Sequence, residues 1–252
     1  MSKVFVSMGM SLDGYVEGPN ASLENMGGNG WMDLHAWVFQ QRTFRQRLKL
    51  GEGGETGPDN RFLEEIFDRT GVSIMGKRMF EAGERAWPEE APFHTPVFVV
   101  THETRAPWER KGGTTFHFVN DGIEDALRRA REVCGGKDVR IAGGANLVLQ
   151  YLNAALVDEL VLSVAPTFLG GGKRLFEGID RSAVGLEIIE ALCSPEGHAP
   201  PLRREEEALT LPWRAGDEAR RRSRMTSRRR GQPRTAPGYK PAPDVVRGGL
   251  TS

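Results

Sequence analysis

Residues 138–156 read DVRIAGGANLVLQYLNAAL. Val139, Ile141 and Ala142 have the character of the end of a buried strand, and Gly143 and Gly144 that of a tight turn. Ala145 then opens a helix with Leu147, Leu149, Leu152 and Leu156 on or near one face. A strand that turns through glycines into a helix leaves backbone N–H groups unpaired and aims the positive end of the helix dipole outward. Such a turn suits a phosphate or pyrophosphate, because missing side chains let the ligand approach the backbone. It equally describes a plain connector, since a Gly-Gly pair is not the GxGxxG fingerprint.

Working outward, the neighbouring segments alternate between strand and helix. Val4, Phe5 and Val6 lead an N-terminal strand reaching about Met10, and an opening strand of this kind is expected near the centre of a sheet. Ser11, Leu12, Asp13 and Gly14 break it, and a Gly- and Asn-rich stretch to Gly30 follows, long enough to be functional or disordered. A helix is expected over residues 32–41, then a charged, glycine-rich surface insertion over residues 45–57. Pro58 is placed as the first residue of the next helix, with Phe62, Leu63, Ile66 and Phe67 at helical spacing. Strands are expected at residues 72–75, 97–101, 116–119, 160–166 and 186–192. Helices are expected over residues 77–83 and after Asp121, which reads as a cap, as Asp33 does for the earlier helix. Alternation of this kind implies a mostly parallel sheet covered on both faces, with ligands beyond the carboxyl ends of its strands. Gly76, Thr101 and Gly143 each fall at such an end and point to one shared rim.

Composition bounds the rest. The chain has 252 residues, 38% of them hydrophobic, and no formal net charge. That balance hides an asymmetry: residues 1–195 carry 21 basic and 27 acidic side chains, whereas residues 196–252 carry 13 and 7. The expected organisation is therefore one α/β domain over residues 1–195 and an Arg- and Pro-rich disordered tail over residues 196–252. Cys134 and Cys193 read as reduced thiols, and the five histidines show no metal-ligand spacing, so no metal is expected. The N-terminal apolar run is too short for a signal peptide and no stretch approaches membrane-spanning length, so a cytoplasmic protein without a membrane partner is expected. The run RRRSRMTSRRR at residues 220–230 has no interleaved aromatics, and no specific nucleic-acid partner is read from it.

The segments MSLDGYVEG, ETGPDNRFLEEIF, MGKRMFE, FVVTH, GGTTFHFV, VRIAGGANLVLQYL, LVDELVLSVAPTFLGGGKRLFEG and GLEIIEALCSP occur in this order over residues 2–195. In order and spacing the chain resembles the dihydrofolate-reductase-like family, most closely its stand-alone bacterial members related to the reductase domain of the bifunctional riboflavin-biosynthesis enzyme. The resemblance implies a three-layer α/β fold, with a central, mostly parallel mixed sheet and helices on both faces. It also implies an NADPH site along one rim and hydride transfer to a small, heterocyclic or otherwise polarised substrate. By the resemblance Gly143, Gly144, Ala145 and Asn146 match the pyrophosphate turn, and Gly76, Lys77 and Arg78 a second turn holding adenosine-side phosphates. Two cations at a helix N-terminus oppose the dipole unless a phosphate sits there, though they also fit a solvated surface. Thr101 and His102 match the strand end that meets the adenosine 2′-phosphate, or are polar groups at a solvated strand end.

Asp13, beside the implied nicotinamide position, is the candidate catalytic or substrate-orienting carboxylate, with a turn cap as the alternative. Residues 170–172 line the cofactor crevice or form a bulge. The zinc deaminase signature, HxE followed by PCxxC, is absent from the chain, so pyrimidine reduction in riboflavin synthesis is a secondary expectation. A non-catalytic nucleotide-binding or regulatory domain of the same fold is the other alternative, and a small-molecule substrate and a homodimer are the partners considered.

The likeness stops near Pro195. Family members usually continue into a last antiparallel strand, often close to Thr-His-Leu-Arg-Tyr, whereas residues 198–202 read His-Ala-Pro-Pro-Leu. Consecutive prolines remove ladder donors, so no strand is expected there and the edge beside residues 186–192 should lie unpaired. Those five residues can be encoded CAC GCA CCT CCG CTA, which read one base later gives Thr-His-Leu-Arg; degeneracy permits other readings. An out-of-frame translation after about Gly197 is the hypothesis that the gene sequence tests.

Overall fold

The computed structural model describes residues 2–191 in full and the backbone of residues 201–203, all within one compact unit, Met1–Ala208. In chain order the elements are β1 (Val4–Ser11), β2 (Tyr15–Glu17), α1 (Trp31–Gln40), α2 (Arg42–Arg47), α3 (Pro58–Arg69), β3 (Thr70–Gly76) and α4 (Lys77–Ala86). There follow β4 (Val97–Val100), β5 (Trp108–Glu109), β6 (Thr115–Val119), α5 (Gly122–Val133), β7 (Asp138–Gly143) and α6 (Ala145–Asn153). The last are β8 (Glu159–Ala165), β9 (Lys173–Arg174), β10 (Glu187–Ile188) and β11 (Pro201–Arg203).

Nine of these strands form one sheet in the order β10-β11-β8-β1-β7-β3-β4-β6-β5. The six from β8 to β6 run parallel, and antiparallel strands close both edges. β1 lies inside the parallel block, as an apolar opening strand should. Period-two alternation divides its side chains between two cores. Val4 and Val6, with their register partners Val139 and Ile141, join Ala126, Leu127, Leu147, Tyr151 and Leu152 of α5 and α6. Phe5 faces the other way and packs with Ile66 of α3 and Val161. On that second face Met75, Val97, Val99, Phe116 and Ala142 pack with Phe80 of α4. The fold is thus the three-layer α/β arrangement expected, with the carboxyl ends of β7, β3 and β4 side by side.

Pro58 is the first helical residue of α3, where its missing N–H is no loss. Several details depart from the sequence reading. The charged insertion begins inside α2 and is tied back by a bridge between Gln41 and Glu55. The Gly- and Asn-rich stretch before α1 folds on itself, Gly18 N–H donating to Gly27 O and Asn29 N–H to Pro19 O, both at 2.8 Å. Gly30, not Asp33, occupies the N-cap of α1, and Asp33 lies in its first turn; Asp121 holds the N-cap of α5 without a side-chain cap bond.

Pro201 begins a strand after all, β11, which pairs with β8 and β10. It is the first residue of that strand, where no ladder donor is required, and its register partner is Val161 alone; Leu202 and Arg203 pair on both sides. β8 is therefore covered, and β10 is two residues rather than seven. The remaining residues of the expected tail, 196–200 and 204–252, lie outside the described residues, as does Cys193. No helix among the described residues is long and apolar enough to cross a membrane.

Candidate functional site

Two helices open at one point on the rim. Gly76 is the N-cap of α4 and Gly144 that of α6, both extended and neither followed by a side-chain cap bond. A Cβ built on Gly76 would stand 3.8 Å from Gly144 N and 4.0 Å from Gly143 O, so the two turns touch. Neither helix has an acid in its first turn. Free N–H groups and two positive dipole ends therefore converge, an arrangement that suits an anion.

The two glycines before α6 differ. Gly143 has φ 133°, and a Cβ there would meet Met79 Sδ at 3.1 Å, so the fold itself requires glycine. Gly144 has ordinary φ and ψ, and a Cβ there would meet nothing within 4 Å. The space above it is open to whatever approaches the backbone. The peptide bond between the two is cis. The register of β7 against β3 slips between Ile74 and Met75, leaving Ala142 as the extra residue immediately before the turn.

The cations expected at this point are present and paired. Lys77 Nζ binds the Glu103 carboxylate and lies 3.5 Å from Glu81, and the Glu103 bond raises the Lys77 pKa. Arg78 lies 3.3 Å from Glu17 of β2. Thr101, buried at the end of β4, accepts the N–H of Glu103 on Oγ1 at 3.1 Å, while Asn120 binds the carbonyls of Thr101 and Glu103. His102 is exposed beside it. Gly76, Lys77, Arg78, Gly143, Gly144, Ala145 and Asn146 thus meet at one place, with Thr101 and His102 one strand farther along.

Asp13 stands on the other side, past the end of β1. Its Oδ1 accepts the Ser11 hydroxyl at 2.6 Å and Leu169 N–H at 3.1 Å; its Oδ2 accepts Gly170 N–H at 2.8 Å. The Ser11 hydroxyl, helped by the two amides, holds the carboxyl below its ordinary range in spite of partial desolvation. The geometry is that of an ionised anchor for the loop after β8, with exposed Leu12 and Phe168 beside it. Gly172 in that loop comes so close to β2 that a Cβ would lie 2.1 Å from Glu17 O, which makes it a packing glycine rather than a bulge.

Three residues of possible functional weight escaped sequence reasoning. Ser11 acts through Asp13, as above. His35 of α1 binds Trp31 O through Nδ1 at 3.0 Å and stacks on the Trp31 ring at 4.1 Å. Burial lowers its pKa, leaving a neutral imidazole whose Nε2 faces Gly9 of β1. Arg140 lies in β7 between Val139 and Ile141. A cation at an inward position of a strand covered on both faces was the visible signal.

Residues 2–197 match the model of the RibD C-terminal domain family. The chain is 22% identical over 193 residues to the uncharacterised protein YyaP of Bacillus subtilis, covering 74% of this chain and 86% of YyaP. It is similar in structure to a Shewanella sp. PV-4 protein named for riboflavin biosynthesis, with TM-score 0.56 and 18% identity over 81% of this chain and 99% of that one. It also resembles the Thermotoga maritima diaminohydroxyphosphoribosylaminopyrimidine deaminase/5-amino-6-(5-phosphoribosylamino)uracil reductase, with TM-score 0.51 and 13% identity. The likeness covers 81% of this chain and 57% of the Thermotoga protein.

Proposed function

The chain belongs to the RibD C-terminal domain family, and on that premise we propose that it is an NADPH-dependent reductase acting on a small, heterocyclic substrate. The observation that carries the reading is the meeting of two uncapped helix N-termini at Gly76 and Gly144, with open space above Gly144. The residues fit a dinucleotide. The N–H groups of the Gly143–Asn146 turn would hold the pyrophosphate, and Gly76, Lys77 and Arg78 the adenosine-side phosphates. Thr101 and His102 would meet the 2′-phosphate. The cofactor supplies a hydride when bound.

The chain's own residues orient and delimit the reaction. Asp13, kept ionised, fixes the loop after β8 and orients the substrate as a positioning residue; a carboxyl so stabilised as an anion is a poor proton donor at neutral pH. The proton that balances hydride addition then comes from solvent. Titration with NADPH and NADH, followed by cofactor fluorescence, tests the reading, with turnover measured next on a panel of pterins, flavins and pyrimidines. NADPH is expected to bind at least tenfold more tightly than NADH. Equal affinities refute the assignment of Lys77, Arg78, Thr101 and His102, and no binding of either refutes the cofactor.

A further inference from the structure

α1 packs against β1 and β8, and its His35 lies where β1 has no side chain of its own. A Cβ built on Gly9 would stand 3.3 Å from His35 Nε2 and 3.6 Å from its Cε1, so this edge of the imidazole rests over bare backbone. The ring is fixed from behind: Nδ1 binds Trp31 O at 3.0 Å, and the Trp31 indole stacks on it at 4.1 Å. A carbonyl oxygen only accepts, so Nδ1 carries the hydrogen and Nε2 of the neutral ring is an acceptor. Burial favours that neutral ring. Nε2 has no hydrogen-bond partner among the described residues, and His35 keeps partial exposure.

The place of this acceptor on the sheet gives it a use. Met8, the residue before Gly9, has its Cε 3.8 Å from the Cβ that Gly143 lacks. The rim turn therefore ends the strand next to β1, about 5 Å away across the sheet. On the other side, Ser163 of β8 is the register partner of Gly9 and shares its face. Two residues along β1, Ser11 shares that face too, and its hydroxyl binds Asp13. His35 thus stands between the Gly143–Gly144 turn and the Asp13 loop, over a floor of small residues. A phenyl ring would stack on Trp31 as well without leaving a ring nitrogen unpaired, so packing alone does not call for histidine here.

We propose that His35 is a specificity-determining residue whose Nε2 accepts a hydrogen bond from a ring N–H of a heterocyclic substrate lying between the rim turn and the Asp13 loop. The proposal deepens the reductase reading and rests on it for the word substrate.

Lumazine and 1,3-dimethyllumazine differ only in that N-methyl groups replace both ring N–H groups, and calorimetric titration of each into the full chain, with and without NADPH, tests the proposal. Wild type is expected to prefer lumazine about tenfold. His35→Phe, which keeps a ring to stack on Trp31, should bind the two equally and leave the NADPH Kd unchanged. His35→Gln, whose amide oxygen can stand in for Nε2, should recover most of the preference. A packing role predicts the reverse order, with His35→Phe like wild type and His35→Gln impaired. Should His35→Phe fail to fold, His35→Leu replaces it with the same expectation. A preference that survives in the Phe or Leu variant, or no binding of lumazine to wild type, overturns the proposal. NADPH titration of the same proteins separates the two readings. A His35-dependent preference without NADPH binding refutes the cofactor alone, and NADPH binding without that dependence refutes the role of His35 alone.

Discussion

Substituting each glycine of the rim turn should separate cofactor binding from folding. Gly144 has φ −64° and ψ 171°, ordinary extended values, and a Cβ there meets nothing within 4 Å. Gly144→Val is therefore expected to change stability by no more than about 1 kcal/mol, or roughly 2–4 °C in Tm for a domain of this size. The branched side chain would nevertheless fill the space through which a pyrophosphate reaches the N–H groups of α6. Charge-assisted hydrogen bonds contribute about 1.5–3 kcal/mol each. Losing two removes roughly 3 kcal/mol or more, at least a hundredfold in Kd. Gly143→Ala should do the reverse. At φ 133°, with Met79 Sδ 3.1 Å from the new Cβ, it meets strain of roughly 1–3 kcal/mol and a fall of several degrees in Tm. Thermal unfolding and NADPH fluorescence titration on the same preparations give both quantities. A Gly144→Val protein that binds NADPH within threefold of wild type refutes the cradle and makes the turn a connector.

Three further outcomes are expected. Asp13→Asn should leave the NADPH Kd unchanged and lower kcat, because the loop amides at Leu169 and Gly170 lose their anionic acceptor; unchanged turnover would remove Asp13 from the site. Glu103→Gln releases Lys77 and should tighten NADPH several-fold without affecting NADH; parallel changes in both would show that Lys77 does not meet the 2′-phosphate. Burial lowers the pKa of both His35 and His117 from 6.5, so the unfolded imidazoles take up protons more readily than the folded ones. The stability they confer is complete above about pH 6.5 and declines as pH falls through the unfolded value. Tm should drop between pH 7.5 and 5.5, and a His35→Gln/His117→Gln variant should flatten that slope; an unaltered slope assigns it to other groups.

The parts of the fold legible in sequence were those with a period long enough to repeat. Phe62, Leu63, Ile66 and Phe67 recur at helical spacing within α3, and the helix begins at Pro58 as its chemistry requires. The β7–glycine–α6 unit was legible because strand pattern, turn and helix pattern follow without interruption. β5, β9 and β10 are two residues each, too short to carry alternation, and exist by pairing with β6, β2 and β11. α2 was hidden because its charged residues make helix through local bonds and the Glu55 bridge, not through an apolar stripe. At the site, backbone features were readable and side-chain partners were not. Nothing in the order of residues announces that Glu103 meets Lys77 or that Glu17, 61 positions before Arg78, meets it across the rim.

Those pairings bear on how the rim works. Lys77 and Arg78 stand at a helix N-terminus, where the dipole opposes them, and each is balanced by a carboxylate, the exposed Glu103 and the half-buried Glu17. Exposed ion pairs contribute little to stability because water screens them and compensates when they part. On the proposed reading, exchanging Glu103 or Glu17 for a phosphate therefore requires little energy, since the cations already stand beside the turn. Under that reading, the rim cations thus suit exchange with a cofactor that comes and goes.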